Sequence, residues 1–441
     1  MRILVINSGS SSIKFRLYDM EHERLLVSGL LERIGETDGN SVFHAHTATG
    51  DVEHQESSPI ADHAAGLKQI FAFLQGSGAE YWIASGSKKT GSIKHSSLKK
   101  GSLKKASLKQ ASLKQASIKS GSLESLSAIG HRVVHGGETF QTPTRIDDDV
   151  IKAIQDMLPL APLHNPANLT GILEARRLCP EIPQVAVFDT AFFHSLPPHA
   201  YRYALPDEFY QQHQVRRYGF HGTSHQHVAR QAADYFQQPI NTLRLITLHL
   251  GNGASAAAIH NGICIDTSMG MTPLEGLIMG TRCGDLDPSV HFYLARTLGM
   301  TLDEIETLLN HDSGMKGLCG VSDMREVHRL ADQGDERARL AIEMYCYRIS
   351  KYIGAYTIAL GGLDALVFTG GVGENDPRIR QSICEKLSAL GVALNHNRNQ
   401  MDANETFEIS AENSNLRVLI APANEELEIA RQTASLINKA D

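Results

Sequence analysis

The sequence predicts an α/β protein assembled from two similar halves, and three stretches of the chain lead to this prediction. Residues 3–18 contain an apolar run, a tight turn of small residues and an alternating run, which is the pattern of a strand that returns on itself. Residues 245–259 repeat that pattern, and residues 365–375 join a third apolar run to a glycine-rich turn and a helix. Two matching hairpins, in a chain whose strands also lead into helices, favour a duplicated α/β architecture.

Composition places the chain among ordinary globular proteins and excludes several classes of function. Of the 441 residues 42% are hydrophobic, the mean hydropathy is -0.21 and the formal net charge is -7. This mildly acidic balance gives no support to nucleic-acid binding. No apolar run reaches the roughly 18 residues of a membrane span, and the run Ile3–Ile6 is too short for the core of a signal peptide. We therefore expect neither a nucleic-acid partner nor a membrane partner.

The cysteines bear on the compartment in which the protein works. They are scattered along the chain without any CxxC pair, at positions Cys179, Cys264, Cys283, Cys319, Cys346 and Cys384. Such spacing favours free thiols over a disulfide or zinc framework. We therefore expect a cytoplasmic protein.

The first hairpin carries the earliest candidate site, Asn7–Lys14. Its tip offers small residues, serine hydroxyls and one lysine. Small residues let phosphate oxygens approach backbone N–H groups, and Lys14 adds positive charge. The alternative is a solvated serine-glycine turn without a ligand, and this stretch taken alone does not decide between the two.

The next part of the chain is predicted to hold further strands up to about residue 60 and a helix over Asp62–Gln75. Composition then changes abruptly, because residues 85–127 contain ten lysines and a single glutamate in units of five residues. A period of five fits neither a helix stripe nor one strand face. It fits a short four-sided β-solenoid, a disordered insertion produced by repeat expansion, or a binding or localisation module. The disordered insertion is the favoured interpretation.

Globular sequence resumes at Ala128 with a short strand and a Gly-Gly turn. A helix is predicted over residues 147–158, and prolines bracket a loop over residues 160–166. Residues 184–188 form an apolar strand that ends at Asp189. Because α/β proteins gather ligand-binding groups at the carboxyl ends of strands, this carboxylate is a candidate site residue.

The second hairpin and the glycine-rich turn complete the residue pattern. Asn252 lies at the tip of the second hairpin, as Asn7 does at the first, which predicts two halves that face one nucleotide. Residues 370–375 follow a strand but match neither a Walker-A motif nor a complete dinucleotide fingerprint, since Asp376 replaces its third glycine.

Taken together, five motifs in this order resemble the acetokinase family. They are Asn7–Lys14, Gly130–Gly137, Phe220–His225, Gly280–Asp285 and Gly370–Asn375. The resemblance implies duplicated ribonuclease-H-like domains of the actin-like ATPase type, with an inter-domain cleft. It places the first domain at 1–190, interrupted by 85–127 and completed by 427–441. The second domain, at 191–426, would bind the nucleotide and form a homodimer.

The resemblance also implies an activity, the reversible transfer of the γ-phosphoryl group of ATP to acetate, which gives acetyl phosphate. Propionate kinase or another short-chain carboxylate kinase is the alternative, because one methylene contributes only about 1–3 kcal/mol of discrimination. A nucleotide-driven clamp, as in the chaperone branch of the superfamily, is the alternative from another class.

Site residues follow from the same resemblance. The residues implied to act in catalysis are Asp189, His221 and Arg282. Those implied to bind acetate are Arg132, Val134, Leu163, Phe220 and Pro273. Guanidinium groups suit planar oxyanions, so Arg132 and Arg282 would bind the carboxylate and the transferring phosphoryl group. Each has a structural alternative, since an Arg–Asp pair, a single histidine or an apolar residue is by default part of a core.

The remaining implied residues bind nucleotide and metal. ATP or ADP would contact Ser10, Ser12, Lys14, His249, Gly251, Asn252, Gly253, Asp323, Met324, Arg325, Gly371, Val372, Gly373 and Asn375. Met324 stands where the family often has phenylalanine, which bears on nucleotide preference. Asn7 and Glu425 would hold Mg²⁺, or Mn²⁺ in its place, through an amide oxygen and a carboxylate.

Overall fold

The structure is a computed structural model that describes residues 1–47, 50–76, 78–79, 82 and 123–439. The pentapeptide units up to residue 122, and every interpretation placed on them, lie outside these residues. The chain divides into two compact units. Unit one is Met1–Ile129 with Thr170–Pro183, and unit two is Gly130–Leu169 with Gln184–Asp441. The domain boundaries implied by the family resemblance stay a prediction.

Unit one is built on an antiparallel meander in which each strand pairs with the next one along the chain. Its strands are β1 (Arg2–Ser8), β2 (Ser12–Asp19), β3 (Arg24–Glu32), β4 (Asn40–Thr47) and β5 (Gly50–Ser57). The predicted first hairpin is confirmed, with Asn7 opposite Lys14 in the register of β1 and β2. The N–H of Gly9 donates to the carbonyl of Ser12 at 2.8 Å and closes the turn.

A helix and two chain segments cover one face of this meander. The helix α1 (His63–Gln75) begins after Asp62, whose side chain accepts from the N–H of Ala65, so the predicted helix start is confirmed. Trp82 is fully buried in the same core and donates from Nε1 to the carbonyl of Leu74 at 3.0 Å.

The end of the predicted repeat also belongs to this core. Leu123 and Leu126 are buried among the apolar side chains of unit one. Ser127 donates its N–H to the carbonyl of Arg2 at 2.8 Å. The insertion predicted to end at residue 127 therefore includes a short stretch that packs as part of unit one.

Unit two holds two groups of strands. The strand β6 (Ala128–Val133) leaves unit one at Gly130, and β7 (Thr144–Arg145) pairs antiparallel with β8 (Gln184–Phe188). A six-stranded mixed sheet has the order β11-β10-β9-β12-β14-β13. Its strands are β9 (Arg244–Leu250), β10 (Ala254–His260), β11 (Ile263–Thr267), β12 (Ala365–Thr369), β13 (Phe407–Glu408) and β14 (Arg417–Ile420). The second predicted hairpin, β9–β10, is confirmed, and β12 lies parallel to β9.

Helices connect the strands of the chain. Those named below are α2 (Asp148–Asp156), α3 (Asn165–Leu178), α4 (Pro198–Tyr201), α5 (Asp207–His213), α6 (Gly222–Phe236), α7 (Ser289–Leu298), α8 (Leu302–His311), α9 (Gly314–Cys319), α10 (Met324–Asp332), α11 (Glu336–Ala359), α12 (Gly370–Asn375), α13 (Pro377–Lys386), α14 (His396–Asn399) and α15 (Glu425–Asn438). The predicted helix at 147–158 is confirmed as α2. The predicted loop at 160–166 is too long, because α3 already begins at Asn165 and takes Pro166 into its first turn, where proline is tolerated.

The strand β10 explains how a long helix can pack closely on the sheet. All six of its residues before His260 are buried, and five of these are alanine or serine rather than large side chains. Small side chains leave room for α11, whose buried residues share one apolar core with β10. All six cysteines are free thiols, as their spacing predicted. Across the described part of the chain, no helix combines the length and the apolar character that crossing a membrane requires.

Candidate active site

Arg132 and Asp189 form a bidentate ion pair at the ends of β6 and β8. Asp189 directly follows β8, and its N–H donates to the carbonyl of Val133 at 3.0 Å. Arg132 donates from Nε to Asp189 Oδ1 at 3.0 Å and from Nη2 to Oδ2 at 2.6 Å. Asp189 is only 1% exposed, whereas the arginine is 16% exposed. The carboxylate therefore fixes the orientation of the guanidinium, as two-point pairs do.

Glu425 places a second carboxylate beside this pair. It is the first residue of α15, and its Oε2 lies 3.9 Å from Arg132 Nε. Burial opposes ionisation, but the positive charge of Arg132 and then the nearby imidazole of His221 outweigh it and hold the pKa of Glu425 well below its usual range. The same carboxylates raise the pKa of Arg132 against the opposing effect of burial. Arg132 and Glu425 are therefore both charged at neutral pH.

Two histidines stack against each other next to Glu425. The rings of His221 and His249 are 4.4 Å apart and nearly parallel. Their Nδ1 atoms lie 3.7 and 3.9 Å from Glu425 Oε1. Burial, followed by the neighbouring His221, lowers the pKa of His249 to about 3, so this ring is neutral at pH 7. A hydrogen bond of 2.8 Å between His249 Nδ1 and the hydroxyl of Ser224 fixes its position.

His221 occupies a backbone conformation that few residues adopt. Its φ is +60°, and it lies just before α6. A non-glycine residue in the left-handed region is uncommon, and such residues cluster at functional sites. The sequence motif predicted the residue but not this conformation, which depends on the packing of the preceding loop.

Arg282 is half-buried and has no carboxylate partner among the described residues. Its Nη1 donates to the carbonyl of Pro273 at 3.3 Å. Burial lowers its pKa, with no charged group offsetting that effect. A methyl group placed on Gly253 would lie 3.3 Å from His221 Nε2 and 3.8 Å from Arg282 Nη1. The tip of the second hairpin is thus next to both side chains.

An apolar cavity of about 270 Å³ opens beside Arg282. We call it the apolar cavity; Leu163, Pro273 and Arg282 from the predicted set line it. Val134 and Phe220 do not line it and are instead 8% and 1% exposed in the core of unit two. His164, which the sequence interpretation omitted, also lines the cavity. Burial and then the neighbouring positive charge of Arg282 lower its pKa to about 4. In the sequence, the position of His164 between two prolines is the only feature that could have drawn attention to it.

A larger cavity of about 670 Å³ gathers most of the residues predicted to bind nucleotide. We call it the glycine cavity. From the predicted set it is lined by Gly251, Asn252, Asp323, Met324, Arg325, Gly371, Val372 and Asn375. Gly253, Gly373 and His249 are not among its lining residues. Asp323 caps α10 and pairs with Arg325 at 2.5 Å, so two predicted contacts also hold each other.

The glycine-rich turn of this cavity is fixed by charged side chains beneath it. Glu374 Oε1 accepts from the N–H of Gly370 at 2.9 Å and from that of Ala423 at 2.8 Å, just before Glu425. Arg380 is 1% exposed and donates from Nη1 to the carbonyls of Gly373 and Glu374. Both supports were absent from the sequence interpretation, because they connect residues through the tertiary structure.

The remaining predicted residues lie at the first hairpin, in unit one. Ser10 is exposed at the tip, and Asn7, Ser12 and Lys14 are half-buried on the two strands. The ring of His63 lies 2.6 Å from the carbonyl of Gly9 through Nε2 and supports the turn. The structure thus builds the predicted tip, and its contact with a phosphate stays a prediction.

The donor atoms around Glu425 allow a test of the predicted metal. His221, His249 and Glu425 each offer one ligand atom, and these atoms lie within 4.8 Å of one another. Mg²⁺ prefers oxygen ligands, so the ionised and buried carboxylate of Glu425 fits this ion whereas the imidazole nitrogens do not. The site is therefore compatible with a magnesium ion held by Glu425.

Comparison with known proteins extends these observations to the whole chain. A family model described as the acetokinase family matches residues 2–84 and 76–431. An acetate kinase of Syntrophobacter fumaroxidans is 48% identical over 444 residues, which cover 100% of this chain and 98% of that relative.

Two solved structures have a similar fold over their full length. An acetate kinase from Porphyromonas gingivalis is 39% identical with a TM-score of 0.81, and the match covers 99% of both chains. A propionate kinase from Francisella tularensis subsp. tularensis is 39% identical with a TM-score of 0.82, and the match covers 98% of both chains. The similarity therefore extends well beyond the five motifs.

Proposed function

Because this chain belongs to the acetokinase family, we propose that it acts as an acetate kinase and passes the γ-phosphoryl group of ATP directly to acetate. The predicted family and the actin-like ATPase fold are confirmed by the full-length matches, and acetate kinase activity follows from them. These matches disfavour the alternative that the chain is a nucleotide-driven clamp of the chaperone branch. The residue roles, the metal, the oligomeric state and the cytoplasmic location remain proposals.

The observation that carries the proposed mechanism is the contrast between Arg282 and Arg132. Arg132 is held by Asp189 and Glu425, so its charge is largely balanced and its orientation is fixed. Arg282 is half-buried beside the apolar cavity with no carboxylate partner among the described residues. A cation that is partly removed from water without a counter-ion is costly unless a ligand supplies the negative charge. Arg282 is therefore suited to the transferring phosphoryl group, and Arg132 to the acceptor carboxylate.

In-line transfer needs positioning and charge neutralisation more than covalent help. The glycine cavity is the proposed binding site of ADP. The tip of the second hairpin lines this cavity and also lies next to His221 and Arg282. His221 would donate a hydrogen bond to an equatorial oxygen of the phosphoryl group. Asp189 would act by keeping the guanidinium of Arg132 in one orientation.

Asn7 and Glu425 are the proposed magnesium ligands. When bound, the ion neutralises phosphate charge and orients the oxygens of the nucleotide. Glu425 remains ionised because of Arg132, which makes its carboxylate ready to bind a cation at neutral pH. Mn²⁺, which accepts the same oxygen ligands, is expected to substitute.

Propionate kinase activity is the second candidate, and the apolar cavity favours it. Its volume of about 270 Å³ exceeds what the methyl group of acetate fills. One added methylene changes binding by only about 1–3 kcal/mol. We therefore expect acetate and propionate to be used at rates that differ by no more than about 200-fold.

The test is to trap the acyl phosphate product with hydroxylamine in reactions that contain ATP, Mg²⁺ and either acetate, propionate or butyrate. Hydroxamate that depends on acetate supports the proposal. A product formed with propionate but not with acetate would reassign the acceptor, and no product from any acid would overturn the carboxylate kinase assignment.

A homodimer is proposed from a stripe of exposed apolar side chains on α11. Leu340, Tyr347 and Ile358 are 54%, 58% and 82% exposed, and their spacing places them on one face of the helix. Exposed apolar stripes of this kind mark association surfaces, and a second copy of the chain offers the same stripe in return. We expect Ile358→Glu to shift the protein from dimer to monomer in analytical ultracentrifugation. A wild-type chain that sediments as a monomer would contradict the dimer.

A further inference from the structure

A cavity of about 580 Å³ in unit two is lined by none of the residues assigned above to the reaction. It lies against α6, α15 and the end of β8. We call it the arginine cavity after Arg230 on α6 and Arg431 on α15. It is more than twice as large as the apolar cavity.

Positive charge exceeds negative charge in the wall of the arginine cavity. Arg230, Arg431 and Lys439 line it, and Glu428 is the single carboxylate among its lining residues. Arg230 donates from Nη1 to Glu428 Oε1 at 2.5 Å, whereas Arg431 Nη1 is 3.8 Å from Oε2 and 3.5 Å from His227 Nδ1. The side chains of Arg230 and Arg431 remain 46% and 35% exposed, so they can still meet a ligand. The cavity is therefore suited to an anion.

The buried carboxylate of Glu428 places a second requirement on any ligand of this cavity. Its side chain is completely buried, yet Oε2 has no donor within hydrogen-bond distance among the described residues, since His227 Nδ1 and Arg431 Nη1 each lie 3.8 Å away. Its other oxygen accepts from Gln432 at 3.0 Å in addition to Arg230. Buried carboxylate oxygens are normally paired, so a ligand that carries a hydroxyl group would supply the missing donor.

The neighbouring amides support a ligand with several polar groups. Gln226 and Gln432 line the cavity and are joined by a hydrogen bond of 2.8 Å. Amide side chains of this kind can both donate to and accept from hydroxyl groups. Because Gln432 Nε2 already donates to Gln226 and Glu428, Gln226 Nε2 and Gln432 Oε1 are the amide atoms that could meet the hydroxyl groups of a ligand.

We propose that the arginine cavity binds a small hydroxylated organic anion, either a hydroxycarboxylate or a sugar phosphate. Its charged group lies at Arg431 and Lys439, and one of its hydroxyl groups donates to Glu428 Oε2. This site is separate from the proposed acceptor and nucleotide cavities, so it does not depend on the proposed function.

The test is isothermal titration calorimetry on the full chain, with saturating ADP and Mg²⁺ present so that the nucleotide site is filled. The probes are citrate, glucose 6-phosphate and inorganic phosphate. We expect saturable binding of citrate or glucose 6-phosphate. The probe that binds shows whether the charged group of the ligand is a carboxylate or a phosphate. Arg431→Gln should weaken this binding at least tenfold. The control Arg177→Gln, which removes an exposed helical arginine paired with Glu174 in unit one, should leave it unchanged.

Three results would overturn the proposal. They are no saturable binding of either organic anion, equal binding by wild type and Arg431→Gln, and binding of inorganic phosphate as tight as that of the organic anions. Arg230→Gln serves as the second variant, with the same outcomes, if Arg431→Gln no longer melts cooperatively. Acyl phosphate formation without added ligand should be unchanged in both variants, which separates a failure of this site from a failure of the kinase assignment.

Discussion

At the scale of single residues, the two arginines of the active site show why residue type alone does not define a role. Both occur in motifs, and both were predicted to bind oxyanions. Only the structure shows that Arg132 is paired with carboxylates while the half-buried Arg282 donates to a carbonyl oxygen. Their contributions to activity and to stability should therefore differ.

Arg282→Gln should reduce activity without destabilising the fold. Loss of one charged donor to a transferring group typically lowers kcat by about 10² to 10³. Because burial disfavours the charged form of Arg282, as its lowered pKa indicates, its removal should leave the melting temperature unchanged or raise it. Steady-state kinetics and thermal melting measure the two effects. A variant that melts well below wild type would contradict the view that this charge is uncompensated.

At the scale of elements, the second hairpin is positioned by a close contact with a glycine. The N–H of Gly280 donates to the carbonyl of Asn252 at 2.9 Å. A Cβ atom at Gly280 would lie 2.0 Å from Asn252 Oδ1, a distance that real atoms do not tolerate. The side chain at the hairpin tip can therefore hold its position only while residue 280 has no side chain.

Gly280→Ala should displace Asn252 and lower kcat/KM for ATP at least tenfold, because a small displacement at a phosphate-binding tip is costly. The control is Asp234→Ala in α6, which removes an exposed side chain outside the five motifs. The control should keep full activity and melt no earlier than wild type, since alanine is the better helix former. Wild-type kinetics in Gly280→Ala would remove the hairpin tip from the proposed nucleotide site.

Much of this architecture could be predicted from local patterns. Both hairpins, the helices α1 and α2 and the strand that ends at Asp189 follow from apolar periodicity and turn residues, which depend on neighbours in the sequence. The left-handed backbone of His221 and the place of His164 beside Arg282 could not be predicted, because distant segments impose them. The apolar character of Val134 and Phe220 fitted a cavity wall, but the structure places both side chains in the core.

At the scale of the whole molecule, buried histidines should make stability depend on pH. Burial, as the largest effect in each case, lowers the pKa of five of them; it falls to about 4 in His131, His135 and His164, to about 3 in His249, and well below its usual range in His225. Below pH 6.5 the unfolded chain therefore binds more protons than the folded chain at these positions. Each such group lowers the free energy of unfolding by about 1.4 kcal/mol per pH unit within that range.

Melting temperature should accordingly fall as the pH is lowered from 6.5 towards 4. His131→Gln should make the melting temperature depend less steeply on pH, because the unfolded chain then takes up one proton fewer. His194→Gln, which changes an exposed histidine, should leave this dependence unchanged. Differential scanning calorimetry across the pH range measures both slopes. An unchanged slope in His131→Gln would show that this histidine also titrates in the folded chain.

The lysine-rich insertion should be dispensable for catalysis. Replacing residues 85–122 with a short glycine-serine linker retains Leu123 and Leu126, which belong to the core of unit one. We expect the shortened chain to keep acyl phosphate formation within about twofold of wild type, since surface loops tolerate large changes in length. A folded but inactive product would mean that the repeat takes part in the reaction. A deletion extended to residue 127 should melt earlier than this variant.

Trp82, whose buried indole donates to Leu74, is the single tryptophan of the chain. Tryptophan fluorescence therefore comes from unit one alone, whereas the far-ultraviolet circular dichroism signal sums the helices of both units. Recorded together during urea unfolding, the two optical signals separate the loss of one unit from the loss of the other. Coincident curves would mean that the two units unfold as one cooperative system, and separated curves would give each unit its own midpoint.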